Sequence, residues 1–161
     1  MPASNPRKKI ILAADHAGFA LKEAVKKFLQ EKDYEIEDVG AREYKEDDDY
    51  PEYMAKAAVK IAYDQTGKTK AVIFGKSGQG EAMVANRFPG VRAAVWYGGP
   101  EESSGKILRL SREHNDANML AVGADFVNEN QTEEAVESWL NTAFSGEERH
   151  FRRIEEMDSL E

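Results

Sequence analysis

Short apolar runs alternate with amphipathic segments along this chain of 161 residues. The runs are rich in Val, Ile and Ala and are bounded by Gly or Asp, as is typical of strands covered on both faces. Strands that alternate with helices form parallel sheets with right-handed crossovers. The pattern therefore predicts a doubly wound, Rossmann-like α/β domain with a five-stranded parallel sheet and helices on both faces. The predicted strands are residues 9–14, 34–39, 70–74, 91–96 and 118–122.

The amphipathic segments predict helices between these strands. Residues 19–30 carry a stripe of Leu, Ala, Val and Phe at helical spacing. Pro51 suits the first turn of a second helix. A later helix is predicted over residues 133–143, where Asn130 or Thr132 would provide the N-cap.

The chain is acidic, with a formal net charge of −8, and contains no cysteine. A charge of this sign does not provide the broad basic face of a general nucleic-acid binder. Without cysteine there is no disulfide framework, thiolate nucleophile or cysteine metal site. The apolar run 10–14 is too short for a signal-peptide core or a membrane span. We therefore expect a cytoplasmic protein with no nucleic-acid or membrane partner, whose single domain covers 9–157 between short tails at 1–8 and 158–161.

A glycine-rich turn, residues 75–81, lies between the third predicted strand and a short predicted helix over 82–86. Such a turn exposes several backbone N–H groups, which stabilise a phosphate or a developing oxyanion. Glu81 closes the turn and could move a proton in the same place. A P-loop is excluded because Lys70 stands where its first glycine is required, and a dinucleotide fingerprint is excluded because Met83 replaces its third glycine. Taken alone, the turn could also be a simple connection.

Polar segments follow several predicted strands, at the edge where ligands bind in doubly wound sheets. All three histidines of the chain stand in polar clusters beside carboxylates or arginines. Imidazole suits proton transfer, and arginine suits phosphate. The acidic run 46–49 is expected to be a solvated loop, and no metal or cofactor is predicted. The segments that should share the carboxyl edge of the sheet are 15–16, 75–81, 96–104 and 123–125.

Five motifs stand in order along residues 8–156. They are Asp15-His16-Ala17-Gly18, Asp49-Tyr50-Pro51, the loop 75–81 with Ala85-Asn86, Arg112-Glu113-His114-Asn115, and Arg149-His150 with Arg153. In this order they resemble ribose-5-phosphate isomerase B, in a family that also includes the galactose-6-phosphate isomerase subunits. The resemblance implies aldose–ketose isomerisation of a phosphosugar through an enediolate, without metal or cofactor. It also implies a homodimer or tetramer whose active sites are shared between subunits.

The resemblance extends to the catalytic base. In that family the base is either a cysteine at the end of the third strand or a glutamate that closes the glycine loop. This chain has Gly75 at the first place and Glu81 at the second, so it is similar to the glutamate branch. By the same resemblance, Ser77 and the backbone N–H groups around Gly78 and Gly80 would hold the enediolate oxygens.

Further roles are implied in the same way. His114 would assist opening of the sugar ring, with Asp15 nearby, and Asn115 would contact sugar hydroxyls. His16 and two arginines would bind the phosphate, with the arginines reaching across from the partner subunit on a C-terminal helix. The arginines are Arg149 and Arg153, and the residues that would complete the substrate pocket are Tyr50, Lys76 and Gln79.

Three positions depart from the family pattern. Asp125 stands where the family usually has a phosphate-binding arginine, and Lys76 stands where a glycine is usual. The segment 96–105 looks longer than its counterpart and would overhang the pocket. Together these departures favour a pocket remodelled for a different sugar or a differently placed anion. The alternative is that Asp125 points away from the site and that ribose chemistry is unchanged.

Three other functions stay open from the sequence. A catalytically silent sugar-phosphate binding protein is favoured by Asp125, whereas Glu81, Ser77 and His114 argue against it. An isomerase of a longer or unphosphorylated sugar would keep the chemistry and change the substrate. A flavodoxin-like electron carrier is disfavoured because the glycine loop follows the wrong strand.

Overall fold

A computed structural model describes residues 7–160 of the chain. This range forms five strands, six α-helices and two short 3₁₀ turns, His16–Gly18 after the first strand and Ala124–Phe126 after the last. The strands are β1 (Lys9–Ala14), β2 (Glu35–Asp38), β3 (Lys70–Gly75), β4 (Ala93–Trp96) and β5 (Met119–Gly123). The helices are α1 (Phe19–Glu31), α2 (Tyr50–Ala62), α3 (Gln79–Ala85), α4 (Glu101–Glu113), α5 (Glu129–Asn141) and α6 (Glu148–Asp158).

The sheet is parallel throughout, with the strand order β2-β1-β3-β5-β4. Helices α1, α4 and α5 cover one face, and α2 and α3 cover the other. The predicted doubly wound, Rossmann-like fold is therefore confirmed. The strand order reverses between β1 and β3, so the segments after these two strands flank the switch point where ligands bind in such folds. Within residues 7–160, no helix has the length and apolar character needed to cross a membrane.

Alternating side chains of the strands form a separate core on each face of the sheet. In β1, Ile10 and Leu12 pack toward α1 and α5, where Trp139 is fully buried, whereas Ile11 packs toward Met54 of α2. Burial of one aliphatic side chain of this kind contributes about 2 kcal/mol relative to exposure. The two cores hold the strands firmly and so fix the position of the loops at their carboxyl ends.

The connection after β4 is shorter than predicted. The sequence suggested a long loop over 96–105, but α4 begins at Glu101, so only residues 97–100 link the strand to the helix. Two glutamates occupy the first turn of α4, where they interact favourably with the helix dipole. The Ser103 hydroxyl also donates to the carbonyl of Pro100 at 3.1 Å. The prediction of a long loop over 96–105 is therefore wrong.

The start of α5 also differs from the prediction. Asn128 is the N-cap, in place of Asn130 or Thr132. Its side-chain oxygen accepts a hydrogen bond from the Gln131 N–H at 2.9 Å, and the Gln131 side chain accepts one from the Asn128 N–H at 3.1 Å. This reciprocal capping box satisfies two N–H groups at the start of the helix. The overlooked signal was the Asn-x-x-Gln spacing.

Candidate active site

The loop between β3 and α3 turns at Gly78. This residue has a φ of 79°, in the left-handed region that favours glycine, and it forms the N-cap of α3. It also lies close to the end of β5, where an added Cβ would stand 3.1 Å from the carbonyl oxygen of Ala121. The first N–H groups of an α-helix have no acceptor within the helix. The loop therefore presents backbone donors beside the carboxyl ends of β3 and β5.

Glu81 stands in the first turn of α3 with its carboxylate against the end of β3. The residue is only 4% exposed. A Cβ added to Gly75 would overlap the Glu81 carboxylate, so the absence of a side chain at Gly75 provides the space that the carboxylate occupies. The residue predicted to be the base is thus buried beside the backbone of the glycine loop.

The surroundings of Glu81 make its carboxylate more basic. Burial raises the pKa of Glu81, and the nearby charge of Asp15 raises it as well, whereas the N–H groups of Glu81 and Gly78 act in the opposite direction. Burial also raises the pKa of Asp15, although the neighbouring His16 opposes this change. A carboxylate with a raised pKa is better suited to general-base catalysis near neutral pH than an exposed one.

The Asp-His-Ala-Gly motif forms the 3₁₀ turn that follows β1. Asp15 Oδ1 caps this turn by accepting a hydrogen bond from the Ala17 N–H at 3.1 Å. Gly18 packs against Phe74 near the end of β3, so closely that an added Cβ would overlap Phe74. This contact brings Asp15 next to the loop that carries Glu81.

His16 is hydrogen-bonded to Asp48. One oxygen of that carboxylate, Oδ1, accepts the backbone N–H of His16 at 3.0 Å and lies 2.7 Å from the imidazole Nδ1. The Asp48 side chain is only 7% exposed, so the expectation that the whole run 46–49 is solvated is wrong at this residue. The hydrogen bond to Asp48 raises the pKa of His16. A protonated imidazole suits the predicted contact with phosphate.

Three groups that can bind metals meet at the same point. One potential ligand atom from each of Asp15, His16 and Asp48 lies within 4.8 Å of the others. The short contact between Nδ1 and Oδ1 already joins two of these groups as a hydrogen-bonded pair. We therefore interpret the cluster as a carboxylate–imidazole pair beside a second carboxylate.

Tyr50 and the remaining loop residues complete the carboxyl edge. The Tyr50 side chain lies over Gly80, where an added Cβ would overlap its hydroxyl group. Ser77 is half-buried, and its Oγ accepts a hydrogen bond from the Gln79 N–H at 3.3 Å. These residues therefore lie in the same loop cluster as Glu81, which the position after β3 predicted for Ser77 and Gln79 and the resemblance implied for Tyr50.

Lys76 and Asp125, two of the departures from the family pattern, are direct neighbours. The Asp125 N–H donates a hydrogen bond to the Lys76 carbonyl at 3.1 Å. Both residues are exposed. An amino group and a carboxylate thus stand at the same edge of the sheet, next to the glycine loop.

His114 and Asn115 lie at the amino edge of the sheet, which is the end where the parallel strands begin. Helix α4 starts beyond the carboxyl end of β4 and runs back along the sheet for 13 residues, a length of about 20 Å. His114 is the C-cap of α4, and the Asn115 carbonyl accepts a hydrogen bond at 2.9 Å from Arg92 Nε, just before β4 begins. The expectation that His114 has Asp15 nearby is therefore wrong within one chain.

Helix α6 lies beside His114 at this amino edge. The rings of His114 and His150 are stacked, with centroids 4.2 Å apart and planes at 17°. His150 is buried, whereas Arg149 and Arg153 are exposed one helical turn apart. Arg149 Nε contacts a carboxylate oxygen of Glu147 at 2.9 Å. The two arginines are thus on the outer side of a helix that is anchored by its buried histidine.

Asn115 also faces a cavity of about 740 Å³ at this edge of the sheet. This cavity is lined by the start of β4, the segment before it and the end of α6, including Met157.

Predicted site residues therefore form two separate groups in one chain. The carboxyl-edge group is Asp15, His16, Tyr50, Gly75, Lys76, Ser77, Gly78, Gln79, Gly80 and Glu81, and the amino-edge group is His114, Asn115, Arg149 and Arg153.

Sequence interpretation overlooked two residues that contact members of these groups. Asp48 belongs to a run of charged residues, and only its tertiary contact with His16 distinguishes it from its neighbours. His150 stood in a polar cluster without an assigned role. Its spacing from Ile154, the other buried residue of α6, was the available signal that it faces inward.

Comparisons with known proteins agree with one another. The sequence profile described as Ribose/Galactose Isomerase matches residues 10–157. Ribose-5-phosphate isomerase B from Mycobacterium tuberculosis (strain ATCC 25618 / H37Rv) is 33% identical over 147 residues, which cover 91% of this chain and 86% of that protein. The protein of the same name from Escherichia coli (strain K12) is 33% identical over 154 residues, which cover 96% and 97%.

A solved structure shows the same relationship in three dimensions. The crystal structure of ribose-5-phosphate isomerase B from Mycoplasma genitalium with bound ribulose-5-phosphate superposes with a TM-score of 0.85. The two sequences are 30% identical, and the match covers 93% of each chain. The likeness therefore spans both groups of candidate site residues.

Proposed function

The chain belongs to the ribose/galactose isomerase family, and on that premise we propose that it is an aldose–ketose isomerase of a phosphosugar. Ribose 5-phosphate and ribulose 5-phosphate, or a closely related pair, would be interconverted through an enediolate. The related protein from Mycoplasma genitalium is described with bound ribulose-5-phosphate, which supports this substrate class.

The main support for the mechanism is the buried carboxylate of Glu81, which lies beside a loop that presents backbone N–H groups. In this proposal Glu81 removes a proton from the carbon next to the sugar carbonyl and returns it to the neighbouring carbon. Its raised pKa makes the carboxylate a stronger base for the first step and brings the pKa of Glu81 closer to neutral pH, where one group can both accept and return a proton. The Glu81 carboxylate can therefore serve both halves of the reaction.

The glycine loop would stabilise the enediolate that forms between these two steps. Ser77 and the N–H groups around Gly78 and Gly80 are the proposed donors. Each donor of this kind typically contributes about 3 kcal/mol to the stability of a transition state. The positive φ of Gly78 turns the chain so that these donors and Glu81 lie at the same strand end.

We further propose that two chains share each site. His114 and Asn115 follow α4, whose length of about 20 Å separates them from the carboxyl edge that carries Glu81, and α6 with its arginines lies beside His114. Helix α6 buries only His150 and Ile154 against its own domain, and its exposed arginines are available to another chain. A homodimer or tetramer could bring these residues to the phosphate and ring of a sugar held by the loop of its neighbour.

The test is deuterium uptake from heavy water into a panel of pentose phosphates, hexose phosphates and free sugars, followed by NMR. Wild type should exchange one carbon-bound proton of its substrate. Glu81→Gln should reduce the exchange rate by about 10³-fold, which is within the usual range for loss of a general base. Glu129→Gln, the same change in the exposed first turn of α5, is the control and should exchange normally.

A catalytically silent binding protein is the rival function. It would bind a sugar phosphate and show no exchange with any member of the panel, a result that would contradict the proposal. Exchange that persists in Glu81→Gln would keep the reaction class and exclude Glu81 as the base.

The exposed Asp125 next to Lys76 favours a second possibility, an isomerase for a different sugar. The panel addresses it directly, because a remodelled pocket should prefer a substrate other than ribose 5-phosphate. Asp125→Arg should then shift the order of preference toward ribose 5-phosphate. An unchanged order would show that Asp125 does not determine specificity.

A further inference from the structure

A single carboxylate oxygen fixes both the backbone and the ring of His16. Asp48 Oδ1 lies 3.0 Å from the His16 backbone nitrogen and 2.7 Å from Nδ1. A carboxylate can only accept hydrogen bonds, so Nδ1 must carry a proton in this arrangement. The second nitrogen, Nε2, remains for a ligand, and the His16 side chain is 31% exposed on the carboxyl edge.

Asp48 is itself held in place by the fold. Its side chain is 7% exposed, and its second oxygen, Oδ2, has no hydrogen-bond partner within residues 7–160. The loop that carries it is anchored by the Ala41 N–H on the Ala14 carbonyl at 3.0 Å, and Lys22 Nζ donates to the Ala41 carbonyl at 2.7 Å. A buried carboxylate is stable only when it is paired with a donor or a cation. His16 is that partner for Asp48.

We propose that Asp48 is a positioning residue that holds His16 as a cation with its Nε2–H directed to the phosphate of the substrate. This proposal rests on the proposed function, because the phosphate contact of His16 belongs to it. Asp48 does not touch the substrate and acts through the imidazole. A pair of this kind delivers a charge-assisted hydrogen bond to an anion from a ring whose orientation is already set.

The acidic groups nearest to His16 favour its protonated form. The hydrogen bond that His16 donates to Asp48 has the largest effect in raising the pKa of His16; burial opposes it, and Asp15 and Glu46 add to it. The Oδ2 atom of Asp15 is 3.8 Å from Nδ1. The ring of Tyr44 meets the imidazole edge-on, with centroids 6.1 Å apart. The turn after β5 packs against the His16 turn and carries the exposed Asp125, whose N–H is hydrogen-bonded to the Lys76 carbonyl, so this side brings one acidic and one basic side chain.

Loss of the proton would reverse the contact with phosphate. If Nδ1 keeps its hydrogen bond to Asp48, neutral His16 has a lone pair at Nε2, which repels a phosphate dianion. Asn at position 48 would keep an oxygen acceptor and remove the charge. Asp48→Asn should therefore leave the ring in place and lower the pH at which His16 becomes neutral.

The experiment uses the full chain and two readouts. Histidine ring nitrogens are titrated by long-range ¹H–¹⁵N NMR, in which His16, His114 and His150 are separate signals. Binding of inorganic phosphate is measured by calorimetry at pH 6 and pH 8 for wild type, Asp48→Asn and the control Asp47→Asn. The control removes the same charge from the exposed neighbouring residue.

Wild-type His16 should titrate above an ordinary histidine and become the Nδ1–H tautomer when neutral. Asp48→Asn should bind phosphate about tenfold more weakly than wild type at pH 8 and within about threefold at pH 6, because the variant should lose the charge of His16 at a lower pH than wild type does. Asp47→Asn should match wild type at both pH values. Ionisation of phosphate itself is the same for all three proteins and cancels in the ratios.

Two results would overturn the proposal. One is an Nε2–H tautomer of neutral His16 in wild type. The other is a loss of phosphate affinity in Asp48→Asn that is equal at pH 6 and pH 8, as expected if Asp48 only shapes the loop. Both readouts are independent of turnover, so a wild type that binds phosphate but does not isomerise sugars would contradict the proposed function and leave the role of Asp48 intact.

Discussion

Gly75 and Glu81 form a steric pair in which one residue makes room for the other. Because a Cβ at Gly75 would overlap the Glu81 carboxylate, Gly75→Ala should displace the carboxylate and lower the free energy of unfolding by about 1–3 kcal/mol, the usual cost of overpacking. In a Glu81→Ala background the same change should cost less than about 0.5 kcal/mol. Chemical denaturation of the four proteins in this double-mutant cycle measures the coupling. Equal costs in both backgrounds would show that the two residues do not compete for space.

Asp15 and Glu81 form an electrostatic pair at the same site. Burial and then the charge of Asp15 raise the pKa of Glu81, so protonation of the base should cause a loss of kcat/KM at a higher pH than that of an ordinary glutamate. Asp15→Asn removes the charge and should move this acid limb to lower pH. The measurement is the pH at which kcat/KM falls to half of its maximal value in each protein, whatever that maximal value is. A limb that stays in place or moves to higher pH would contradict the coupling.

At the scale of elements, Lys22 ties α1 to the loop that follows β2. It is fully buried, and its ammonium group donates to Asp38 Oδ2 and to the Ala41 carbonyl, both at 2.7 Å. Lys22→Met keeps the volume and leaves the carbonyl without a donor, so it should lower the free energy of unfolding by about 2–3 kcal/mol. Lys26→Met is the matched control, because Lys26 contacts the same carboxylate from a half-exposed position. It should cost only about 0.5–1 kcal/mol, and equal losses in denaturation experiments would argue against an anchoring role of Lys22.

The existence and order of the elements could be predicted from the sequence, because apolar periodicity reports burial directly. The ends of elements were less predictable. The Gly-Gly-Pro-Glu-Glu-Ser-Ser stretch after β4 has the composition of a loop, yet the last four of these residues form the first turn of α4. Asn128 was overlooked as a cap because its Gln131 partner does not stand out in a polar stretch. Both errors concern polar residues whose hydrogen bonds decide the structure.

The candidate site could be predicted as a set of residues, although its arrangement in space could not. Motif order identifies Glu81 and His114, but it does not reveal that α4 carries His114 to the far edge of the sheet. Helices antiparallel to their strands impose this separation. The contact of Asp48 with His16 joins residues far apart in sequence and has no signature within either motif.

At the scale of the whole molecule, the separation of the two groups predicts complementation between inactive variants. Glu81→Gln carries its defect at the carboxyl edge, and His114→Asn carries its defect at the amino edge. In a mixed dimer of the two, one shared site has both defects and the other has none. Refolding an equal mixture should therefore restore about a quarter of wild-type activity, because half of the random dimers are mixed.

The control pair is Glu81→Gln with Ser77→Ala. Both of these changes affect the carboxyl edge, so every site of a mixed dimer is defective and mixing should restore nothing. Isomerase activity after refolding, with the composition of the dimers verified by native mass spectrometry, is the measurement. Failure of the first pair to recover activity, in a preparation that contains mixed dimers, would contradict shared sites.

The overlap at the end of β3 also has an evolutionary consequence. The family resemblance offers two bases, a cysteine at the position of Gly75 or a glutamate at the position of Glu81, and the structure has room for one of them at a time. An ancestor could not pass from one to the other through a form with both groups in working position. A glutamate that arose before the cysteine was lost would be displaced from this pose, and it could take the pose only after glycine had replaced the cysteine. The change of base therefore needs two substitutions in a fixed order, and we expect the two kinds of base to mark separate branches of the family tree.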